Sequence, residues 1–134
     1  IIRRSFSGID RTIINNYLSA KYSIDISASG RDFYTMDDPG NGDYDFGVAG
    51  IGDDGNSNHT DSKGTGDVRI SNPSGLGNDD WLFWGHDTRG IVGVTTGNPA
   101  GIVERLDRTY RVSEVSQVGT VDFSFDMGPT FSMP

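Results

Sequence analysis

From residue 27 onward this chain is interrupted again and again by Gly, Asn, Asp and Pro. Residues 37–43 read DDPGNGD and residues 53–66 read DDGNSNHTDSKGTG. Glycine admits positive φ, proline presets φ, and Asn and Asp side chains bond to their own backbone, so such runs are turn chemistry. The segments left between them are short. A helical bundle needs long stretches of 3.6-residue periodicity, which this punctuation forbids. Short strands joined by many turns do not. With 19 glycines and only 34% hydrophobic residues in 134, the composition points the same way.

The strand-like segments can be placed one by one. One emerges at residues 44–51. Asp67-Val68-Arg69-Ile70-Ser71 alternates polar and apolar, as a half-buried strand does. Trp81-Leu82-Phe83-Trp84 is a continuous apolar run and reads as a strand buried on both faces. Trp81 and Trp84 then point to opposite sides, one into the core and one nearer the surface. A short strand is expected at residues 91–95. Leu106, Arg108, Tyr110 and Val112 alternate with polar residues, as do Val121, Phe123 and Phe125. These last two segments are expected to pair as a hairpin. Six or seven such strands predict a mainly β fold, a jelly-roll-like β-sandwich.

One helix is expected, over residues 10–22. Asp10 is a candidate N-cap, and Ile9 and Ile14 stand at the positions of a hydrophobic staple. Ile13, Ile14, Tyr17 and Leu18 would face the sheet, leaving Arg11, Asn15, Asn16 and Ser19 outside. The length suits a single domain, residues 1–134, with residues 1–25 as a strand-plus-helix lead-in. It begins Ile1-Ile2 and ends just after a strand-like segment, so it reads as a piece of a larger protein.

The net charge of −8 repels phosphate backbones and argues against nucleic acid as a partner. The absence of cysteine removes disulfides, thiolate metal sites and cysteine nucleophiles. No apolar run approaches the roughly 18 residues of a membrane span, so membrane insertion is not expected.

Several groups of residues are candidates for chemistry. Asn41, Asp43 and Asp45 alternate in an acidic loop and offer the oxygen ligands that Ca2+ prefers. Phe46 stands where an EF-hand requires glycine, so the alternative is a solvated turn. His59 and His86 lack zinc spacing. His86-Asp87 resembles half of a catalytic pair, but no G-x-S-x-G motif accompanies it, so no enzymatic activity is expected. Trp84 and Tyr110 are candidates for stacking on a sugar, against the alternative of core packing. Arg108 shares a strand face with Leu106 and Tyr110, so it is expected to be partly buried and to need Asp87 or Asp122 as a partner. Ile1, Ile2 and Phe6 form a β-prone segment with no evident hairpin partner, a candidate for assembly by strand exchange.

Four motifs occur in order: YLSAKYSI at residues 17–24, VAGIGDD at 48–54, WLFWGHD at 81–87, and ERLDRTYRV at 104–112 continuing to GTV at 119–121. Together they resemble an uncharacterised β-rich domain of large secreted bacterial surface proteins, often found after a concanavalin-like (LamG-type) lectin domain. Ser23 stands where that family usually has Gly, and Tyr110 where it has Trp. The resemblance implies a setting outside the cell or at its surface and a β-rich architecture; it implies no reaction. The expected function is a non-enzymatic structural or adhesive module, with a filament subunit built from copies of itself as one form. The alternative is a carbohydrate-binding module whose partners are glycans.

Overall fold

Ser7 and Asp10 exchange the two hydrogen bonds of a capping box and start helix α1 (Gly8–Tyr22). Asp10 N–H donates to Ser7 Oγ, and Ser7 N–H donates to Asp10 Oδ2, each at 3.2 Å. The cap is therefore Ser7, and Asp10 closes the box three residues later. Ser23 ends the helix at φ 51°, ψ 48°, in the left-handed region, and Ile24 N–H returns to Ser19 O at 3.0 Å. A glycine would take up that left-handed turn without strain.

The computed structural model describes residues 6–65 and 67–126. After α1 comes a 3-10 turn (Ser27–Ser29), then β1 (Phe46–Asp53), β2 (Asn58–His59), β3 (Asp61–Lys63), β4 (Val68–Ser71), β5 (Trp81–His86), β6 (Gly93–Val94), β7 (Arg105–Leu106), β8 (Tyr110–Val115) and β9 (Asp122–Phe125). The fold is mainly β and sandwich-like, with one N-terminal helix. One sheet has the order β2-β1-β5-β8 and the second β3-β4-β9, while β6 and β7 pair apart from both. All these pairings are antiparallel.

Strand β5 is central and buried on both faces, as its unbroken apolar run predicts. Leu82 and Trp84 join Ala49, Ile51, Val68 and Ile70 in a core between the two sheets. Trp81 and Phe83 point the other way, into a core shared with Ile9, Ala20 and Tyr34 beneath the helix. The molecule therefore has three layers: helix, first sheet, second sheet. Both tryptophans are buried, so neither lies near the surface. Each fully buried ring contributes about 1.5–3 kcal/mol before entropy.

The register explains the glycines of the VAGIG segment. Gly50 lies opposite Phe83 and Gly52 opposite Trp81. A Cβ on Gly50 would stand 2.6 Å from the Phe83 ring, and one on Gly52 would overlap the Trp81 indole. Two side chains are omitted from β1 so that two rings can lie flat across it.

Two further expectations are corrected. The expected inward face of α1 is only half right: Ile13 and Tyr17 pack against the core beneath the helix, while Ile14 and Leu18 do not. Ile9, Thr12, Asn16, Ser19 and Ala20 are buried, Ile13 and Tyr17 half-buried, and Ile14 and Leu18 exposed. Hydrogen bonding sets this rotation. Asn16 Nδ2 donates to Thr12 O and Arg31 O at 2.9 and 2.8 Å, and its Oδ1 accepts from Phe33 N and Tyr34 N, both at 2.8 Å. The two late strands also do not pair as a hairpin. β8 adds to β5 and β9 adds to β4, so the chain changes sheets between them.

Candidate functional site

The two flanks of the sandwich differ. On one, β2 runs into β3 through a single residue, Thr60, so the chain itself closes the gap between the sheets. On the other, β8 is the outer strand of the first sheet and β9 the outer strand of the second. Among the described residues no further strand pairs with either. Tyr110 of β8 and Phe125 of β9 meet edge to face at 5.6 Å, which sets the two edges one above the other.

The inward residues of this flank are only partly covered. Phe123 and Phe125 lie opposite Ile70 and Val68, yet they remain 44% and 46% exposed while those two are buried. Val112, opposite the buried Trp84, is exposed as well. Phe46 belongs to the same apolar region. Gly47, at φ 61°, sits in a β-bulge between Phe46 and Ala49, and Phe46 stacks on His86 at 6.1 Å. The rings continue from His86 to Tyr110 at 5.4 Å, to Phe125, and on to Phe123 at 4.9 Å.

Polar groups fix the end of this row. Asp67 carries both Arg108, through a short ion pair, and the Tyr110 hydroxyl at 3.3 Å. Arg108 Nε also donates to Arg89 O at 2.7 Å. Arg108 is partly buried as expected, but its partner is Asp67 and neither Asp87 nor Asp122. Asp87 instead pairs with Arg89 at 2.8 Å and accepts from Thr109 N at 3.3 Å. His86 Nδ1 lies 2.6 Å from Asp87 O and donates to it, and burial lowers the pKa of the imidazole.

The acidic loop lines a depression of about 630 Å³ with Asp25, Asp32, Asp37, Asp38, Asp43 and Asp45. Burial pushes Asp45 up to about 6, aided by a hydrogen bond with Asp43 and by its charge. Burial also pushes Asp37 to about 6, with repulsion from Asp32 and Asp38. Of the calcium candidates, Asp43 and Asp45 come together, while Asn41 is turned away and donates to Thr35 O at 2.7 Å. Among the described residues no three His, Asp or Glu side chains converge as a metal site.

The remaining candidates fall elsewhere. Trp84 is 1% exposed, so its ring is closed to a sugar, and Tyr110 is half-buried between His86 and Phe125. Phe6 is exposed and outside any strand, and Ile1 and Ile2 lie outside the described residues. Sequence reasoning missed the open flank. Its signal was the alternation of Phe123 and Phe125, which was assigned to the wrong partner strand. No helix among the described residues is long and apolar enough to cross a membrane.

Comparison with known proteins found no match among curated proteins and none among solved structures. A family model, described as a domain of unknown function (DUF8202), matches residues 10–132, which takes in α1 from its third residue, both sheets and the open flank. The chain belongs to this DUF8202 family.

Proposed function

We propose that this domain is a non-enzymatic structural or adhesive module, working outside the cell or at its surface, that is completed along its open flank by an extended segment of a neighbouring chain. The observation carrying this reading is the pair of stacked edge strands, β8 and β9, with Val112, Phe123 and Phe125 exposed on their inward faces. An unpaired edge presents N–H and C=O groups that a strand from outside can satisfy, and the neighbouring apolar side chains supply pockets for alternate residues. If donor and acceptor are copies of one chain, the contact runs head to tail and need not close, which gives a filament. The extracellular setting rests on the four-motif resemblance. Sugar stacking on Trp84 and Tyr110 has less support, because the Trp84 ring is buried.

Electron microscopy and light scattering of the concentrated protein test the proposal. Assembly is expected, and Val112→Lys is expected to block it by placing a charge on the edge. Deleting residues 1–6, the segment expected as donor, is expected to leave a folded chain that no longer assembles. Assembly that survives both changes refutes the reading.

A further inference from the structure

An asparagine carries a latent reaction with the residue that follows it. The next backbone nitrogen can attack the side-chain carbonyl carbon and close a five-membered ring. That nitrogen must bear a hydrogen, be open to approach and not be held in a hydrogen bond. Most asparagines of this chain fail one of these conditions. Asn72 and Asn98 precede Pro73 and Pro99, whose nitrogens carry no hydrogen. Asn15 and Asn16 lie within α1, where the next N–H is spent on the helix. His59, after Asn58, is paired with Gly52 in the ladder of β1 and β2. Ser57 N, after Asn56, donates to Asp54 Oδ1 at 2.9 Å, and Asp79 N, after Asn78, donates to Asp53 O at 2.8 Å. Asp54-Gly55 could close the same ring, but Gly55 N donates to Asp53 Oδ1 at 2.6 Å.

Asn41-Gly42 meets all three conditions. Asn41 is exposed, and its backbone N–H donates to Asp38 O at 2.8 Å, so the residue is held in a turn. The Gly42 N–H donates to no group among the described residues. No side chain screens this nitrogen, and none could be added: φ is 118°, and a Cβ would run into the Tyr44 ring. One contact opposes the reaction. Asn41 Nδ2 donates to Thr35 O at 2.7 Å, an exposed bond that water can replace.

We propose that Asn41 deamidates spontaneously through Gly42, a one-way modification of the loop at the rim of the acidic depression. Gly42 N gives its proton to water or hydroxide and bonds to Asn41 Cγ. The Cγ–Nδ2 bond breaks, and the amide nitrogen takes up a proton and leaves as ammonia. Water then adds to either carbonyl of the cyclic imide, which opens to aspartate or to isoaspartate at position 41. Water is the only co-reactant. Either product loses the donor to Thr35 O, and the aspartate sets a carboxylate against that carbonyl. Isoaspartate also lengthens the main chain by one carbon. Gly42 and Asp43 line the depression directly after this residue, together with Asp37, Asp38 and Asp45, so a further negative charge loosens the loop.

Peptide mapping by mass spectrometry tests this on the folded protein aged in mildly alkaline buffer. The peptide holding residue 41 is expected to gain the mass of an amide-to-acid exchange before any other asparagine reacts. It is also expected to split into two chromatographic forms, one of them isoaspartyl. Asn41→Gln, whose attack would need a six-membered ring, is expected to keep its mass over the same period. Asn41→Asp fixes the aspartyl product and is expected to melt below the parent chain, with the aged protein moving towards it. An amide at residue 41 that survives in the folded chain while the urea-unfolded chain loses it overturns the proposal. Another asparagine reacting first does the same, and an Asn41→Asp chain that melts with the parent overturns the loosening of the loop.

Discussion

Asn16 makes the most exacting claim about how this domain is held together. It is fully buried, and its amide uses two donors and two acceptor sites on four backbone groups. In Asn16→Ala the Thr12 carbonyl keeps its helical partner. The Phe33 and Tyr34 N–H groups and the Arg31 carbonyl lose theirs. Each buried group left without a partner costs about 1–3 kcal/mol. Some water will enter the space of the missing amide, so the expected loss is about 3–6 kcal/mol, against a total of roughly 5–15 kcal/mol for a domain. Urea unfolding followed by tryptophan fluorescence reads this directly, since Trp81 sits in the core beneath the helix. Hydrogen exchange at Phe33 and Tyr34 is expected to rise with it. Asn16→Asp provides a contrast. It keeps the acceptor but loses both donors and buries a carboxylate, so its defect is expected to ease as pH falls. A loss below about 1 kcal/mol in Asn16→Ala, with unchanged denaturant dependence, would falsify the view that hydrogen bonds set the helix rotation.

Two other outcomes follow from local geometry. Ser23→Gly relieves a side chain held at φ 51° and is expected to stabilise the domain by about 0.5–1 kcal/mol, read as a higher melting temperature; no gain refutes the strain. Asp45 is raised to about 6 from an ordinary value near 3.8, so the stability it contributes is present below pH 3.8 and lost as pH rises through 6. Asp45→Asn is expected to flatten the pH profile between 4 and 7 and to gain about 1 kcal/mol at pH 7, a figure reduced for solvent screening, while an unchanged profile refutes the assignment.

The parts legible in the sequence were those governed by near neighbours. Turn clusters marked the strand boundaries, and the apolar run of β5 announced burial on both faces, because a strand shows its two sides in alternate residues. Helix α1 is visible from its periodicity, yet only Ile13 and Tyr17 of its expected inward face pack on the core. Apolar residues were assigned inward, whereas Asn16 and Ser19 answer to backbone groups that approach only in the folded chain. The pairing of β8 and β9 failed for a similar reason. Proximity in sequence favours a hairpin, and nothing local says that the chain crosses from one sheet to the other between them. The calcium expectation rested on the carboxylate density and alternate spacing of the acidic loop; Asp43 and Asp45 line one depression, while the Asn41 amide N–H donates to Thr35 O. That Ser23 adopts a left-handed backbone is likewise a property of the folded chain, with φ at 51°.

The late arrival of β9 has a consequence in time. A chain made from its N-terminus lays down β3 and β4 early, but the outer partner of β4 comes long after; Asn72 and Asp122, bonded across this pair at 2.7 Å, are 50 residues apart. Contacts of such separation form slowly, because the loop between them must first be closed. During that interval the first sheet can assemble as β5 and then β8 emerge, while β4 waits with one side unpaired. A nascent or refolding chain is therefore most exposed to pairing errors along β4, and a strand supplied early from another molecule would compete with β9 for that place.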